Sequence, residues 1–299
     1  MSIFHGLSAF PITPADAHGT VDVEGVARLT AYLSAAGVDS IGLLGSTGTY
    51  AYLTRAERRR AIAAAVESVG GRTCLIVGIG TLRTDDAQAL ARDAEAEGAD
   101  GLLMAPVSYT PLTQEEAYQH YVAVAGATGL KLCIYNNPGT THFTFGMELL
   151  ERLAGVPNIA AVKMPPPPEG TLADELSRLR AGPVGKLAIG CSGDWIAAEA
   201  LLAGYDGWFS VLGGFLPHLA RTLTTAAQNG DHATVLHYSQ KLRPLWALFR
   251  AFGSLRVAYA ALNHLGLSEA TPPRPILPLP EPDRQRVAEA LRACCENTP

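Results

Sequence analysis

The sequence predicts a (β/α)8 barrel followed by a helical C-terminal region, and three observations carry that reading. Short apolar runs of strand length recur eight times before Asn229, each followed by a segment of helical periodicity. The runs are continuously apolar rather than alternating, as parallel strands covered on both faces require. One motif repeats where helix gives way to strand, as Gly37-Val38-Asp39-Ser40, Gly98-Ala99-Asp100-Gly101 and Gly204-Tyr205-Asp206-Gly207. In each copy the Gly can end a helix in the left-handed conformation and the Asp can bond turn amides. Three copies argue for one αβ connection used repeatedly.

The first strand is predicted over 6–10, and Val26, Leu29 and Leu33 then form the apolar stripe of a helix. A second strand covers 40–44. Thr54 with Glu57 signals a capping box at the next helix start, before a third strand over 73–78. The fourth strand, 101–104, is followed by a second capping box, Thr113 with Glu116, and by the stripe Ala117, Tyr121, Val124 and Ala125. Strands five to eight fall at 131–135, 159–163, 186–190 and 207–211. Beyond Asn229 the strand signal stops. Segments 231–250, 253–265 and 282–294 read as helices, with the Pro-rich 271–282 as a connector. The organisation expected is a catalytic barrel over 1–229 and a helical region over 230–299.

Composition bounds the function. The 299 residues are 48% hydrophobic and 17% charged, against about 25% charged for an average soluble protein. The 30 Gly and 20 Pro are spread along the chain, which excludes disorder and collagen-like repeats. The net charge is −5, and the sole basic run, Arg58-Arg59-Arg60, reads as a solvated helix face, so nucleic acid is not an expected partner. No apolar run reaches the roughly 20 residues that span a bilayer. The start, Met1 to Gly6, lacks the basic and apolar regions of a signal peptide. Five cysteines, an odd number without framework spacing, suit reduced thiols. The expectation is a cytoplasmic globular protein.

Chemistry in such a barrel belongs at the C-terminal ends of the strands. The second strand ends in Gly45-Ser46-Thr47-Gly48-Thr49-Tyr50, where two hydroxyls between glycines offer a seat for a small carboxylate or phosphate, or simply form a loop. The fifth ends in Tyr135-Asn136-Asn137-Pro138-Gly139-Thr140-Thr141. Tyr135 there is a proton relay or a rim aromatic. The sixth ends in Lys163, just before four prolines, Pro165 to Pro168. An amine buried at a strand end costs solvation, and in its neutral form it can attack a carbonyl; the alternative is a lysine that snorkels to solvent. After the seventh strand, Asp194 reads as a helix cap and Cys191 as a small residue at the core edge. The eight histidines show no HxH or HExxH spacing, and there is no CxxC, GxGxxG or Walker loop. His142 reads as a loop residue. Neither a metal nor an organic cofactor is expected.

Together, Gly45-Ser46-Thr47-Gly48, Tyr135-Asn136-Asn137-Pro138 and Lys163, in this order on these strands, resemble the dihydrodipicolinate synthase / N-acetylneuraminate lyase family. Ala9 to Pro14, Pro106 to Glu116, Gly193-Asp194, Gly207 to Ser210 and Pro273-Arg274-Pro275 extend the resemblance over essentially the whole chain. It implies a homotetrameric barrel doing Schiff-base aldol or lyase chemistry on pyruvate or another 2-oxo acid. Lys163 would form the imine and Tyr135 relay protons. Ser46 and Thr47, with Gly45, would hold the carboxylate and orient Tyr135, and Phe209 would line the pocket.

The resemblance also marks departures. Family members that accept aspartate semialdehyde usually carry an Arg where this chain has Thr140, and a Glu where it has Thr49. Their Pro-Tyr-Tyr loop, whose second Tyr crosses to a neighbouring subunit, is here Pro106-Val107-Ser108 with Tyr109 one place later. Ser108, Tyr109 and Thr140 therefore hold the substrate-binding positions with altered chemistry, and an unidentified aldehyde or sugar acid is the expected second substrate. Two other readings compete: a dehydratase or decarboxylase of a sugar-derived acid, and a barrel that binds a small acid without turnover. An intact Lys163 and Tyr135 argue against the last.

Overall fold

The computed structural model describes residues 2–295; Met1 and residues 296–299, the ends of the segments read above, lie outside the described residues. Eight parallel strands close into one barrel: β1 (Gly6–Ala9), β2 (Ser40–Leu43), β3 (Cys74–Gly78), β4 (Gly101–Met104), β5 (Lys131–Tyr135), β6 (Ile159–Met164), β7 (Ala188–Cys191) and β8 (Gly207–Ser210). β8 pairs back onto β1. The predicted bounds hold to within a residue except at β7, which begins two residues late because Pro183–Lys186 forms a 3-10 turn.

Apolar continuity has the expected cause. Outward side chains such as Ile41, Val77, Leu102, Ile134, Val162 and Trp208 pack under the surrounding helices, whereas Ile76, Leu103, Cys133, Ala161, Ala188 and Phe209 fill a separate cluster inside the barrel. Each fully buried large side chain contributes about 1.5–3 kcal/mol. The same period of two aims Tyr135 and Lys163 inward, and the registers Tyr135↔Lys163 and Lys163↔Gly190 set them side by side.

The repeated helix-to-strand motif works differently from the expectation. Gly37, Gly98 and Gly204 are left-handed, with φ of +74°, +93° and +99°. The Asp carboxylates, however, reach the neighbouring strand rather than the turn: Asp39 accepts from the Leu7 amide at 2.7 Å, Asp100 from Leu75 at 2.8 Å and Asp206 from Ile189 at 2.6 Å. The Asp amides donate in return to the Leu7, Leu75 and Ile189 carbonyls. Each copy thus clasps an entering strand to the one beside it at the N-terminal end of the barrel.

Two further readings are corrected. Thr113 and Glu116 make a reciprocal capping box, but the Thr54 box is half formed, because the Glu57 carboxylate is taken by the Val21 amide and Arg60. Within the basic run, Arg59 and Arg60 pair with Glu97 and Glu57. Arg58 is buried, donates to the Leu53 and Gly80 carbonyls, and lies 5.1 Å from the Tyr50 ring centre. Burial lowers its pKa.

The C-terminal region holds helices His232–Phe252, Ser254–His264 and Glu281–Cys295. Gly253 alone separates the first two; its φ of +80° turns the chain without a loop. That tight turn carries residues 253–256 into the wall of the cavity at the C-terminal ends of the strands. No helix among the described residues is long and apolar enough to cross a membrane.

Candidate active site

Lys163 is 5% exposed although it is the most polar inward side chain of its strand. Its Nζ lies 4.1 Å from the centre of the Tyr135 ring, 4.3 Å from that of Phe10 and 5.4 Å from that of Phe209. Among the described residues no carboxylate comes within 4.0 Å of it. The aromatic box exists because glycines make room for it. A Cβ on Gly42 would fall 2.2 Å from the Phe10 ring, and one on Gly190 would fall 2.3 Å from Phe209. Phe10 and Phe209 meet edge to face at 5.8 Å.

Lys163, Tyr135, Ser46, Thr47, Thr140 and Phe209 all line one cavity of about 580 Å³, a size suited to a small metabolite. Gly45 is not in its wall; a Cβ there would strike Phe10 at 2.6 Å, so its small size makes room for the aromatic box. The loop after β2 is bracketed by two left-handed non-glycine residues, Leu44 (φ 55°) and Thr49 (φ 54°), a strained arrangement typical of functional loops. After β5, Asn137 Nδ2 donates to Tyr135 Oη at 3.1 Å and to Thr140 Oγ1 at 3.0 Å, which orients the phenol. Ser108 and Tyr109 do not line the cavity. Ser108 donates to the Thr110 carbonyl and Tyr109 is 96% exposed. His142 is exposed with φ 55° and also stands apart.

Sequence reasoning gave no role to Phe10, Tyr50, Asn137 or Arg256, all in the cavity wall. Phe10 and Asn137 stand directly in the motifs after β1 and β5, so their signal was present. Arg256 comes from beyond the barrel and had none. Burial, together with the nearby Tyr135, pushes the Tyr50 phenol up to about 12, which keeps it a neutral donor at neutral pH. The Cys191 thiol is likewise pushed up by burial, against any nucleophilic part.

Asp194 corrects another expectation. The turn it begins has no side-chain cap. Its buried carboxylate instead accepts from Trp208 Nε1 at 2.9 Å and from the amides of Val211 at 3.2 Å and Leu212 at 2.7 Å, tying down the chain after β8. Burial outweighs these bonds and the nearby Lys163, and pushes Asp194 up from 3.8 to about 6. Since the folded value lies above the unfolded one, the folded chain binds the extra proton between about pH 4 and 6. The contribution of this group to stability is therefore full below that window and lost as pH rises through it. The unfolding free energy of wild type relative to Asp194→Asn, read by urea titration, should fall by about 2 kcal/mol from pH 4 to pH 7. A pH-independent difference would contradict this account.

The sequence pattern of the "Dihydrodipicolinate synthetase family" matches residues 3–294. A 4-hydroxy-tetrahydrodipicolinate synthase from Gluconacetobacter diazotrophicus is 34% identical over 294 residues, 97% of each chain. Among solved structures, a dihydrodipicolinate synthase from Agrobacterium tumefaciens is 60% identical with a TM-score of 0.96, covering 98% of both chains. A chloride-inhibited dihydrodipicolinate synthase from Acinetobacter baumannii, solved with pyruvate, is 28% identical with a TM-score of 0.88 over 98% of this chain and 99% of its own. With the fold, the strand-end motifs and these likenesses in agreement, the chain belongs to the dihydrodipicolinate synthetase family of lyases.

Proposed function

We propose that Lys163 forms a Schiff base with pyruvate or a related 2-oxo acid, that Tyr135 moves the protons, and that the resulting enamine makes or breaks a C–C bond. The observation that carries this reading is the Lys163 amine, buried beside the Tyr135 ring with no carboxylate within 4.0 Å among the described residues. An amine so placed stabilises no ion pair. It is positioned to react.

In this reading the Lys163 nitrogen attacks the ketone carbon, and the carbonyl π pair moves to oxygen, which takes a proton. The carbinolamine loses that oxygen as water, with the second proton supplied through Tyr135, and leaves an iminium. The iminium draws electrons from the adjacent carbon, whose proton departs to give an enamine. That carbon then attacks the acceptor carbonyl, whose oxygen is protonated, and water releases the product from Lys163. Read backwards, the same steps cleave a C–C bond. Ser46 and Thr47 hold the 2-oxo acid carboxylate, while Phe10 and Phe209 exclude water from the amine. The chain's own amine is the electron sink, so the chemistry calls for no metal or organic cofactor.

Two lines separate the substrates. The names of the relatives favour the synthase reaction, whereas Thr140 offers a hydroxyl where a guanidinium would grip the carboxylate of aspartate semialdehyde. We expect condensation of pyruvate with aspartate semialdehyde to be poor; ordinary enzymatic efficiency in that assay would return the synthase reading. Dehydration or decarboxylation of a sugar-derived acid shares the same imine and is distinguished by release of water or carbon dioxide rather than pyruvate. The imine itself can be tested without knowing the partner. In D2O the enzyme should exchange the methyl protons of pyruvate, followed by proton NMR, because the enamine is reversibly protonated. Absence of exchange, despite bound pyruvate, would refute the enamine.

A further inference from the structure

We infer that a second cavity, beside the catalytic one, binds a phosphoryl dianion between Arg243 and Arg250. The helix His232–Phe252 carries Ser239, Arg243, Trp246 and Arg250 at successive spacings of four, three and four residues, which place them on one face. That face lines a cavity of about 350 Å³, closed on its other side by Trp195, Ala198 and Leu223. Lys163 is not in its wall. The two cavities share only Asp194 and Trp195, so the assignment stands independently of the Schiff-base reading.

Two observations distinguish this cavity from a chance meeting of surface arginines. The first is the position of the Arg250 guanidinium. Its Cζ lies 5.6 Å from the centre of the Trp195 ring, and Trp195 belongs to the wall facing the helix. The side chain therefore reaches across the cavity rather than away from it. The second is Ser239, whose Oγ is buried and has no hydrogen-bond partner among the described residues. Helical hydroxyls ordinarily turn back to the carbonyl four residues earlier, as Thr222 does to His218 at 3.0 Å and Thr224 to Ala220 at 2.9 Å. Ser239 makes no such bond, and its hydroxyl is left for an acceptor that enters the cavity. The exposed arginines thus stand at the mouth and the buried hydroxyl at the floor.

The donor set selects the ligand. Asp194 is the one acid in this wall, and its oxygens are already engaged by Trp208, Val211 and Leu212. Neither arginine has a carboxylate within 4.0 Å among the described residues, so two positive charges face the cavity uncompensated. A phosphoryl group carries close to two negative charges near neutral pH and three acceptor oxygens on one centre. Two guanidinium forks and a hydroxyl match that set in charge and in donors. A monocarboxylate would answer only one of the two charges.

Isothermal titration calorimetry of the full chain with inorganic phosphate, near neutral pH, tests the site. Wild type should show saturable binding of one phosphate per chain. Arg243→Gln and Arg250→Gln should each raise the dissociation constant roughly 10-fold or more, the range for a lost charge-assisted bond. Arg250→Lys should recover part of that loss, and Ser239→Ala should weaken binding by a smaller factor. Lys163→Ala should leave the constant unchanged, because its amine lines the other cavity. Circular dichroism establishes that each variant is folded. Methyl phosphate, titrated in parallel, separates the two sources of the group: binding as tight as phosphate supports the site as one for a phosphate ester, and weaker binding supports it as one for the free ion. Absence of saturable binding to wild type overturns the assignment. So does phosphate binding that survives in both arginine variants and is lost in Lys163→Ala, which would place the anion in the catalytic cavity. Succinate, a dianion of different shape, binding as tightly as phosphate would overturn the phosphoryl selectivity.

Discussion

Lys163→Ala is expected to abolish turnover, and with it exchange of the pyruvate methyl protons, while leaving the barrel folded. The reasoning separates the two outcomes. Every intermediate in the proposed cycle is bonded to the Lys163 nitrogen, so no other side chain can carry a diminished version of it. The fold has no such dependence. Lys163 holds no ion pair among the described residues, and its strand is fixed by ladders to β5 and β7. Removing a buried amine also removes its desolvation cost, which offsets the packing lost with its stem. Circular dichroism and a thermal melt should therefore remain close to wild type. Lys163→Arg sharpens the result: it keeps a long basic side chain among the rings but cannot form an imine, and it should be as inactive as the alanine variant. Activity in either variant would place the nucleophile elsewhere.

Tyr135→Phe should slow exchange by roughly 10²- to 10⁴-fold, the range for loss of a positioned acid–base group. The substitution keeps the ring that faces Lys163 at 4.1 Å and removes only the hydroxyl that accepts from Asn137 at 3.1 Å. Imine formation then lacks its proton supply at the carbinolamine, while the nucleophile and box remain. Borohydride should still capture the imine in this variant, more slowly. A near-normal exchange rate would remove Tyr135 from the relay and direct attention to the Tyr50 hydroxyl, a buried phenol in the same wall.

How much of this was legible in the sequence depends on the kind of interaction. All eight strands could be read because a strand buried on both faces must be apolar throughout, a local property. Lys163 and Tyr135 could be read because strand ends position them without help from distant parts of the chain. Asp194 was misread because its partners, Trp208, Val211 and Leu212, lie 14 to 18 residues later and belong to the next strand and its loop. Arg58 was misread because its environment is made by Tyr50 and Gly80, which a count of adjacent arginines does not reveal. That Gly45 makes room for Phe10 was also illegible, because the contact joins the ends of β1 and β2. Arg256 was illegible for a related reason: only the single-residue turn at Gly253 brings it to the barrel.

The measurement that bears most directly on the central claim is the mass of the intact protein after incubation with pyruvate and sodium borohydride, followed by peptide mapping. The assignment will be unambiguous, because the sequence holds four lysines, Lys131, Lys163, Lys186 and Lys241, and of these Lys163 alone is buried. The account predicts one reduced pyruvyl group per chain, on the peptide containing Lys163. Absence of an adduct, or an adduct confined to another lysine, would contradict it.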